Sequence, residues 1–288
     1  MEIIENYELK DNIGFRIPTR TKFYATVNNI EDIENVYKFA KNLNIKVCIL
    51  GGGNNTVFNN SYFDGIVIST KMLNRLKIID KSIEAESGVT IKILNEVARI
   101  LSLTGLEFSG GLPGCVGGAV TMNAKAYNKD FASVVKSVDV FDSSTFEIIT
   151  LKKSEIKFSY KDSIFQHNPN FFILNVKFAL EHGDKRSIEN EYQKNINDRE
   201  TKGQFDYPSV GCIFKNIQNI DISVGKIIDE LGLKGKSIGG ATVFDKHANF
   251  IINKDSATSS DIISLIEFIE NEVYNKKGIK LEREVKIV

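Results

Sequence analysis

The stretch GLEFSGGLPGCVGGAV, residues 105–120, constrains this chain more than any other. It holds six glycines and one of the chain's four prolines, and the residues after it do not read as a linker. Glycine inside an element costs roughly 0.5–1 kcal/mol relative to alanine, so a cluster of glycines needs a compensating reason. Either the backbone turns through left-handed conformations there, or something approaches it closely. A second cluster, ILGGGNNTVF at residues 49–58, also stands beside strand-like sequence. Two such turns can clamp one extended ligand from both sides, which favours a backbone cradle for phosphates or a flat ring system.

Hydrophobic periodicity supplies the frame around these turns. In EDIENVYKFAKNLN, Ile33, Val36, Tyr37, Ala40 and Leu43 recur at helical spacing, predicting a helix with one buried face. IKVCIL (45–50) and GIVIS (65–69) read as strands on either side of the first glycine turn. TIKILNEVARILSL predicts a second amphipathic helix, with Thr90 as its N-cap. SVDVFD, FEIITL and FFILNVKFAL then read as strands. The charged segment at 181–203 reads as a surface helix or connection, with a domain boundary near it. Beyond it, ISVGKIIDELGLKG predicts a helix with Asp221 before it and Gly232 near its end. A longer helix at DIISLIEFIENEVYNKKG places Ile262, Leu265, Ile266, Ile269 and Val273 on one stripe. KLEREVKIV closes the chain as an alternating strand, with Glu284 and Lys286 on one face. The fold class these elements imply is α+β, in two or three lobes.

Two familiar phosphate motifs fail on inspection. ILGGGNNTVF has threonine at position 56, where the dinucleotide fingerprint needs its third glycine, and strand-like sequence comes next where that motif has a helix. Asn54, Asn55 and Thr56 still offer side-chain donors beside the glycine backbone. GLKGKS at 232–237 has Glu230 in place of the first P-loop glycine, so it reads as a helix end with a basic tail. In SVGCIFKN, Cys212 follows a glycine in a turn-to-strand context, and Lys215 and Asn216 can bind an anion or an amide. A thiol there is either a proton donor or nucleophile, or a structural cysteine of the commoner kind.

Composition excludes several function classes. The 37 basic and 37 acidic residues cancel, leaving no footprint of a nucleic-acid partner. Cys48, Cys115 and Cys212 are too few and too far apart for a disulfide framework or a zinc site, and His167, His182 and His247 show no ligand spacing, so no metal is expected. The acidic start lacks an apolar targeting core and no run is long enough to insert in a membrane, which predicts a reduced, cytoplasmic protein.

Six segments in order resemble the UDP-N-acetylenolpyruvoylglucosamine reductase family, flavoenzymes that complete UDP-N-acetylmuramate in peptidoglycan synthesis. They are ILGGGNNTVF, GLEFSGGLPGCVGGAVTMNAKAY, FSYKDSIFQ, YPSVGCIFKN, IGGATVFDKHANFIIN and LEREVKIV. The chain is similar to the family's compact form, without a tyrosine-bearing insertion. The resemblance implies an FAD-binding domain of the vanillyl-alcohol-oxidase (PCMH) type over 1–184, with a small lobe to about residue 70 and a larger one from 71. A C-terminal α+β substrate-binding domain then spans 185–288. It implies FAD as cofactor, NADPH as reductant, a nucleotide-sugar substrate and a monomer. Leu50, Gly51, Gly52, Gly53, Asn54, Asn55 and Thr56 would line one side of the FAD. Ser109, Gly110, Gly111, Pro113, Gly114, Gly117, Gly118 and Asn123 would line the other.

The chemistry the resemblance implies has two halves. NADPH reduces FAD and leaves; the enolpyruvyl sugar then takes hydride from flavin N5 at C3, and a positioned acid protonates C2. Cys212 stands where the family carries serine or cysteine as that acid, and Glu284 assists. Lys161 occupies the place of an arginine that steadies the developing enolate. Tyr160, Arg199, Lys215, Asn216 and Lys286 would contact substrate. Three departures stand out. Lys161 and Lys286 replace arginines, keeping charge but losing a planar fork. Lys125 stands where the family usually has glycine. These changes motivate two other function classes: an FAD oxidoreductase of this fold acting on another sugar or alcohol, and a catalytically silent nucleotide-sugar binding module.

Overall fold

The computed structural model describes residues 1–218 and 222–288. They form two compact units. One comprises Met1–Ile4, Phe23–Gly52 and Gly65–Asp198; the other comprises Glu5–Lys22, Gly53–Asp64 and Arg199–Val288. Helices and strands are interspersed throughout, an α+β chain. No described helix is long and apolar enough to cross a membrane.

The first helix, α1 (Ile30–Leu43), starts where the Asn29 side chain accepts the Asp32 N–H at 2.9 Å, and ends at Asn44 in the left-handed conformation. Its face of Ile33, Val36, Tyr37 and Ala40 is buried with Phe23, Ala25, Ile66 and Ile68. Leu43 was expected on that face but is 49% exposed, because the left-handed cap turns the chain away immediately after it. Strands 3–8, 20–26, 62–69 and 46–50 form a sheet in that order, the last pair parallel.

A five-stranded antiparallel sheet comes next, ordered 147–152, 135–142, 171–179, 82–86, 76–79. The strands expected at SVDVFD, FEIITL and FFILNVKFAL are its first three members. Ile83, Val138, Val140, Val176 and Phe178 belong to the large core that also takes Ile91, Leu94 and Ala98 of α2 (Ile91–Ile100). Thr90 caps α2 as expected, its hydroxyl accepting the Ile93 N–H at 3.2 Å. Two short helices, α3 (Val116–Thr121) and α4 (Ile164–His167), complete this core. The charged segment forms α5 (Lys185–Thr201), mostly exposed, with Ile188, Tyr192, Asn195 and Arg199 buried.

In the second unit, strands 209–212, 250–253, 241–243 and 237–238 form an antiparallel sheet in that order. Helix α6 (Val224–Glu230) is capped by the Ser223 hydroxyl. The expected pre-helix residue Asp221 lies outside the described residues. Helix α7 (Ser259–Lys277) has a capping box between Thr258 and Asp261, and buries the five residues expected on its stripe. The end of the chain departs from expectation. Only Lys286–Ile287 is a strand, and the buried positions Leu281 and Val285 are four residues apart, not two. The alternation fails because successive residues bond different partners: Glu284 N–H reaches Ile213 O at 2.8 Å, whereas Lys286 N–H reaches Asn55 O at 3.0 Å.

Candidate functional site

The two glycine turns meet within the first unit. Leu50 ends its strand buried, and its carbonyl accepts the Thr70 N–H at 3.1 Å. A Cβ on Gly51 would lie 3.4 Å from Cys115 Cβ and 3.7 Å from Thr70 Oγ1. The stretch before and into α3 is zipped to residues 87–91 by three backbone bonds. These run from Ile91 to Gly114 at 3.0 Å, Val116 to Val89 at 2.9 Å and Gly117 to Ser87 at 2.8 Å. Neighbouring glycines therefore have different reasons. A Cβ on Gly110 would meet Tyr192 of α5 at 3.0 Å, and one on Gly117 would meet Ser87 Cβ at 2.8 Å. A Cβ on Gly118 would meet nothing within 4 Å. Gly111 and Gly114 take positive φ angles of +72° and +111°, and Gly52 and Pro113 continue the two turns.

Two hydroxyls mark this cradle as built for a polar ligand. Thr70 and Ser87 are 4% and 2% exposed, and neither Oγ has a hydrogen-bond partner. A buried hydroxyl left unpaired costs about 1–3 kcal/mol, so a group with acceptors or donors fits there better than an apolar one. With glycine backbone on both turns, the residues suit a diphosphate or a flat heterocycle. Nothing in the sequence pattern singles out Thr70 or Ser87. Their only sequence signal is position: each is a small polar residue immediately after a strand. Cys115, between the turns, is buried, and desolvation raises its thiol pKa against the pull of Lys71.

Other expected cofactor residues are engaged by the protein itself. The Ser109 hydroxyl donates to Leu106 O and accepts from Asn95 Nδ2, both at 2.7 Å. Asn123, 2% exposed, donates to Ser159 O at 2.8 Å and accepts the Ala132 N–H at 2.9 Å. Asn123 thereby positions the tight turn carrying Tyr160 and Lys161. In that turn the Ser159 and Asp162 backbones bond each other, Lys161 adopts φ +56°, and Gln166 Nε2 donates to Lys161 O at 2.9 Å. His167 Nε2 lies 2.8 Å from Asp162 Oδ2, and the Ser163 hydroxyl donates to Thr121 O at 2.6 Å. The Lys125 ammonium stands 5.4 Å from the Tyr160 ring centroid.

The second unit holds the remaining residues. Gly53 has φ +67°, and a Cβ on it would run into Asn12 O, so this glycine serves the turn against residues 12–14. Asn54 is next in the chain, and the Asn55 amide donates to Glu284 O at 3.0 Å. Thr56 and Val57 pair in parallel with Lys286 and Ile287. On its other edge the chain end meets the cysteine segment: Glu284 N–H bonds Ile213 O, and Lys215 N–H bonds Glu282 O, both at 2.8 Å. Cys212 ends its strand, half-exposed, after Gly211 at φ +81° and across a register shift opposite residues 250–252. The sequence had suggested a turn entering a strand; the bulge reverses that order. Asn249, 3% exposed and unforeseen, holds the junction by accepting the Phe214 N–H at 3.0 Å and donating to Phe214 O at 2.8 Å.

The outer residues of this group have internal partners too. Lys215 Nζ lies 2.6 Å from Glu282 Oε1. Asn216 Oδ1 accepts the Val224 N–H at 3.0 Å at the start of α6. Arg199, 7% exposed in the last turn of α5, donates to Gln204 Oε1 at 2.9 Å. Arg283 is clamped by Glu270 through two bonds of 2.6 Å, which raises its pKa. Among the described residues no group of three or more His, Cys, Asp or Glu could hold a metal ion.

Known proteins match both units. Residues 21–151 match the family model of an FAD binding domain. Residues 203–288 match that of the UDP-N-acetylenolpyruvoylglucosamine reductase C-terminal domain. The chain is 42% identical over 272 residues to the UDP-N-acetylenolpyruvoylglucosamine reductase of Borreliella burgdorferi, covering 94% of this chain and 89% of that protein. It is 37% identical over 287 residues to the enzyme of the same name from Clostridium novyi, covering 100% and 92%. Its fold is similar to the crystal structure of UDP-N-acetylenolpyruvylglucosamine reductase from Thermus caldophilus. There the TM-score is 0.81 at 27% identity, with 99% of this chain and 98% of that one covered.

Proposed function

The chain belongs to the UDP-N-acetylenolpyruvoylglucosamine reductase family, and from that premise we infer that it reduces UDP-N-acetylglucosamine enolpyruvate to UDP-N-acetylmuramate for peptidoglycan synthesis. FAD is its cofactor and NADPH its reductant; when bound, FAD supplies the hydride that saturates the vinyl group. The cradle of Gly51, Gly52, Gly111, Gly114, Gly117 and Gly118, with the unpaired hydroxyls of Thr70 and Ser87, is where this chain would hold it.

The chain's own residues complete the reaction. Hydride arrival at C3 leaves electron density on C2 and the carboxylate, which a fixed cation stabilises where the charge develops. Lys161 is assigned to that task. Cys212 delivers its Sγ proton to C2, and Glu284 polarises the same face. Tyr160, Arg199, Lys215, Asn216 and Lys286 hold the nucleotide sugar. The supporting observation is the backbone bond from Glu284 to Ile213, which joins a chain-end carboxylate residue to the residue after Cys212. The function divides at α5 into a cofactor part, 1–184, and a substrate part, 185–288. The enzyme works as a monomer in the cytoplasm, where the nucleotide sugars it uses are made.

The reading is tested on the product. With FAD, NADPH and the enolpyruvyl sugar, mass spectrometry should find the nucleotide sugar heavier by two hydrogens, one sugar for each NADPH consumed. A sugar recovered unchanged while NADPH is spent on oxygen would remove the assignment.

A further inference from the structure

Cys212 stands at the end of a sheet pairing. Strand 209–212 runs antiparallel to 250–253, and the pairing stops with Cys212 opposite Phe250. The chain then passes inward: Ile213 and Phe214 are 0% and 1% exposed, so their backbone groups need partners inside the protein. On one edge the chain end supplies them. Glu284 N–H donates to Ile213 O and Lys215 N–H to Glu282 O, both at 2.8 Å, and Phe214 is bridged to Arg283. On the other edge the strand pairing has ended, and Asn249 takes its place. Its Nδ2 donates to Phe214 O at 2.8 Å and its Oδ1 accepts the Phe214 N–H at 3.0 Å. Its own carbonyl accepts the Ile213 N–H at 2.9 Å.

A carboxamide carries the donor and the acceptor of a peptide group, so this side chain adds one further rung to the ladder. The rung serves both residues assigned to proton delivery. Cys212 lies two positions before Phe214 and packs against Phe244, Phe250 and Ile252. Glu284 hangs from Ile213, whose N–H Asn249 holds. The thiol residue and the carboxylate residue therefore share one fixture, although 72 positions separate them in the sequence. Asn249 is itself confined. A Cβ on Gly225 of α6 would lie 3.6 Å from Asn249 Cβ, and the Asn216 amide fixes the start of that helix by accepting the Val224 N–H at 3.0 Å. With 3% exposure and both polar atoms of its amide engaged by Phe214, Asn249 acts through position and not through contact with a ligand.

We propose that Asn249 is a positioning residue for the proton-transfer step, fixing Cys212 and Glu284 in register with each other. This rests on the reductase reading above, and the test separates the two. FAD-loaded parent, Asn249→Ala and Asn249→Asp are reduced anaerobically with NADPH and mixed with the enolpyruvyl sugar over a range of concentrations. Misplacing a reacting group by about 1 Å costs about a hundredfold, so the limiting rate of flavin reoxidation should fall by about that factor in Asn249→Ala. Flavin reduction by NADPH, and the sugar concentration giving half the limiting rate, should stay as in the parent. Asn249→Asp adds a pH signature. An ionised carboxylate only accepts, so the bond to Phe214 O is lost; once protonated, the carboxyl donates again. The ratio of variant to parent reoxidation rate should therefore rise as pH falls. An unchanged reoxidation rate, sugar affinity lost in step with the rate, or a ratio flat with pH overturns the proposal and leaves the reductase standing. A parent whose reduced flavin the sugar does not reoxidise overturns both. Should Asn249→Ala fail to fold, the pH ratio of Asn249→Asp decides.

Discussion

The glycine-rich segment at 105–120 and the junction of residues 209–216 with 281–288 are built by opposite means. The first is the more local: its glycines, its turns and its helix succeed one another in sequence, and its backbone partners at 87–91 lie just before α2, within about thirty positions. The second is assembled from afar, since Glu284 bonds Ile213 and Asn55 bonds Glu284 across 229 positions. A local device announces itself in composition. A remote one is silent until the chain is folded, and its chemistry rests on single backbone bonds whose register nothing in the segment itself reveals.

The contrast sharpens inside the glycine segment, because adjacent glycines there answer to different masters. Gly117→Ala should show the largest effect. Its new Cβ would press on Ser87 Cβ, next to the backbone and unable to swing aside, so the apoprotein should lose about 1–3 kcal/mol in denaturant unfolding. Gly118→Ala enters open space and gains helix propensity, so apoprotein stability should hold or rise while FAD affinity falls. If both variants behave alike, the division between a packing glycine and a cofactor-facing glycine is wrong.

The unpaired hydroxyls come next in size. Thr70→Val and Ser87→Ala remove buried groups that the apoprotein leaves unsatisfied. Each should leave apoprotein melting unchanged or raised, yet weaken FAD by about tenfold per lost hydrogen bond, read by equilibrium titration of flavin fluorescence. A drop in melting temperature with unchanged FAD affinity would make them structural groups.

The smallest effect concerns pH and lies in the second unit. Burial pushes the His247 imidazole below its ordinary pKa of 6.5, against a smaller upward pull from its own backbone and helped by Lys202 and Lys234. As pH falls through 6.5 the unfolded chain takes the proton first, so stability present above that pH is lost below it, down to the lowered folded value. Unfolding at several pH values should show this slope in the parent and a flatter one, by under about 1 kcal/mol across the window, in His247→Gln. An identical slope in both would place the acid sensitivity elsewhere.

Legibility in the sequence followed the same divide. Helical periodicity located α1, α2 and α7, and the stripe on α7 was complete, because those faces are set by neighbours three and four residues away. Leu43 misled because a left-handed cap, not the spacing, decides where the face ends. The chain end is less legible still, since the alternation in KLEREVKIV predicts one strand whereas the segment bonds two different partners in turn. The sequence does not reveal that individual glycines also have packing reasons, Gly110 against Tyr192 and Gly53 against Asn12. Thr70, Ser87 and Asn249 went unseen because a lone polar residue carries no period, and its meaning lies in what it fails or manages to bond.

That cofactor cradle and proton delivery are separate parts is tested most directly by timing the two half-reactions of Cys212→Ala one at a time. Flavin reduction by NADPH is timed anaerobically, and the reduced protein is then mixed with the enolpyruvyl sugar. The expected result is an unchanged first rate and a second slowed by about a hundredfold or more, the usual contribution of a positioned acid. Equal slowing of both steps, or of neither, would contradict the separation.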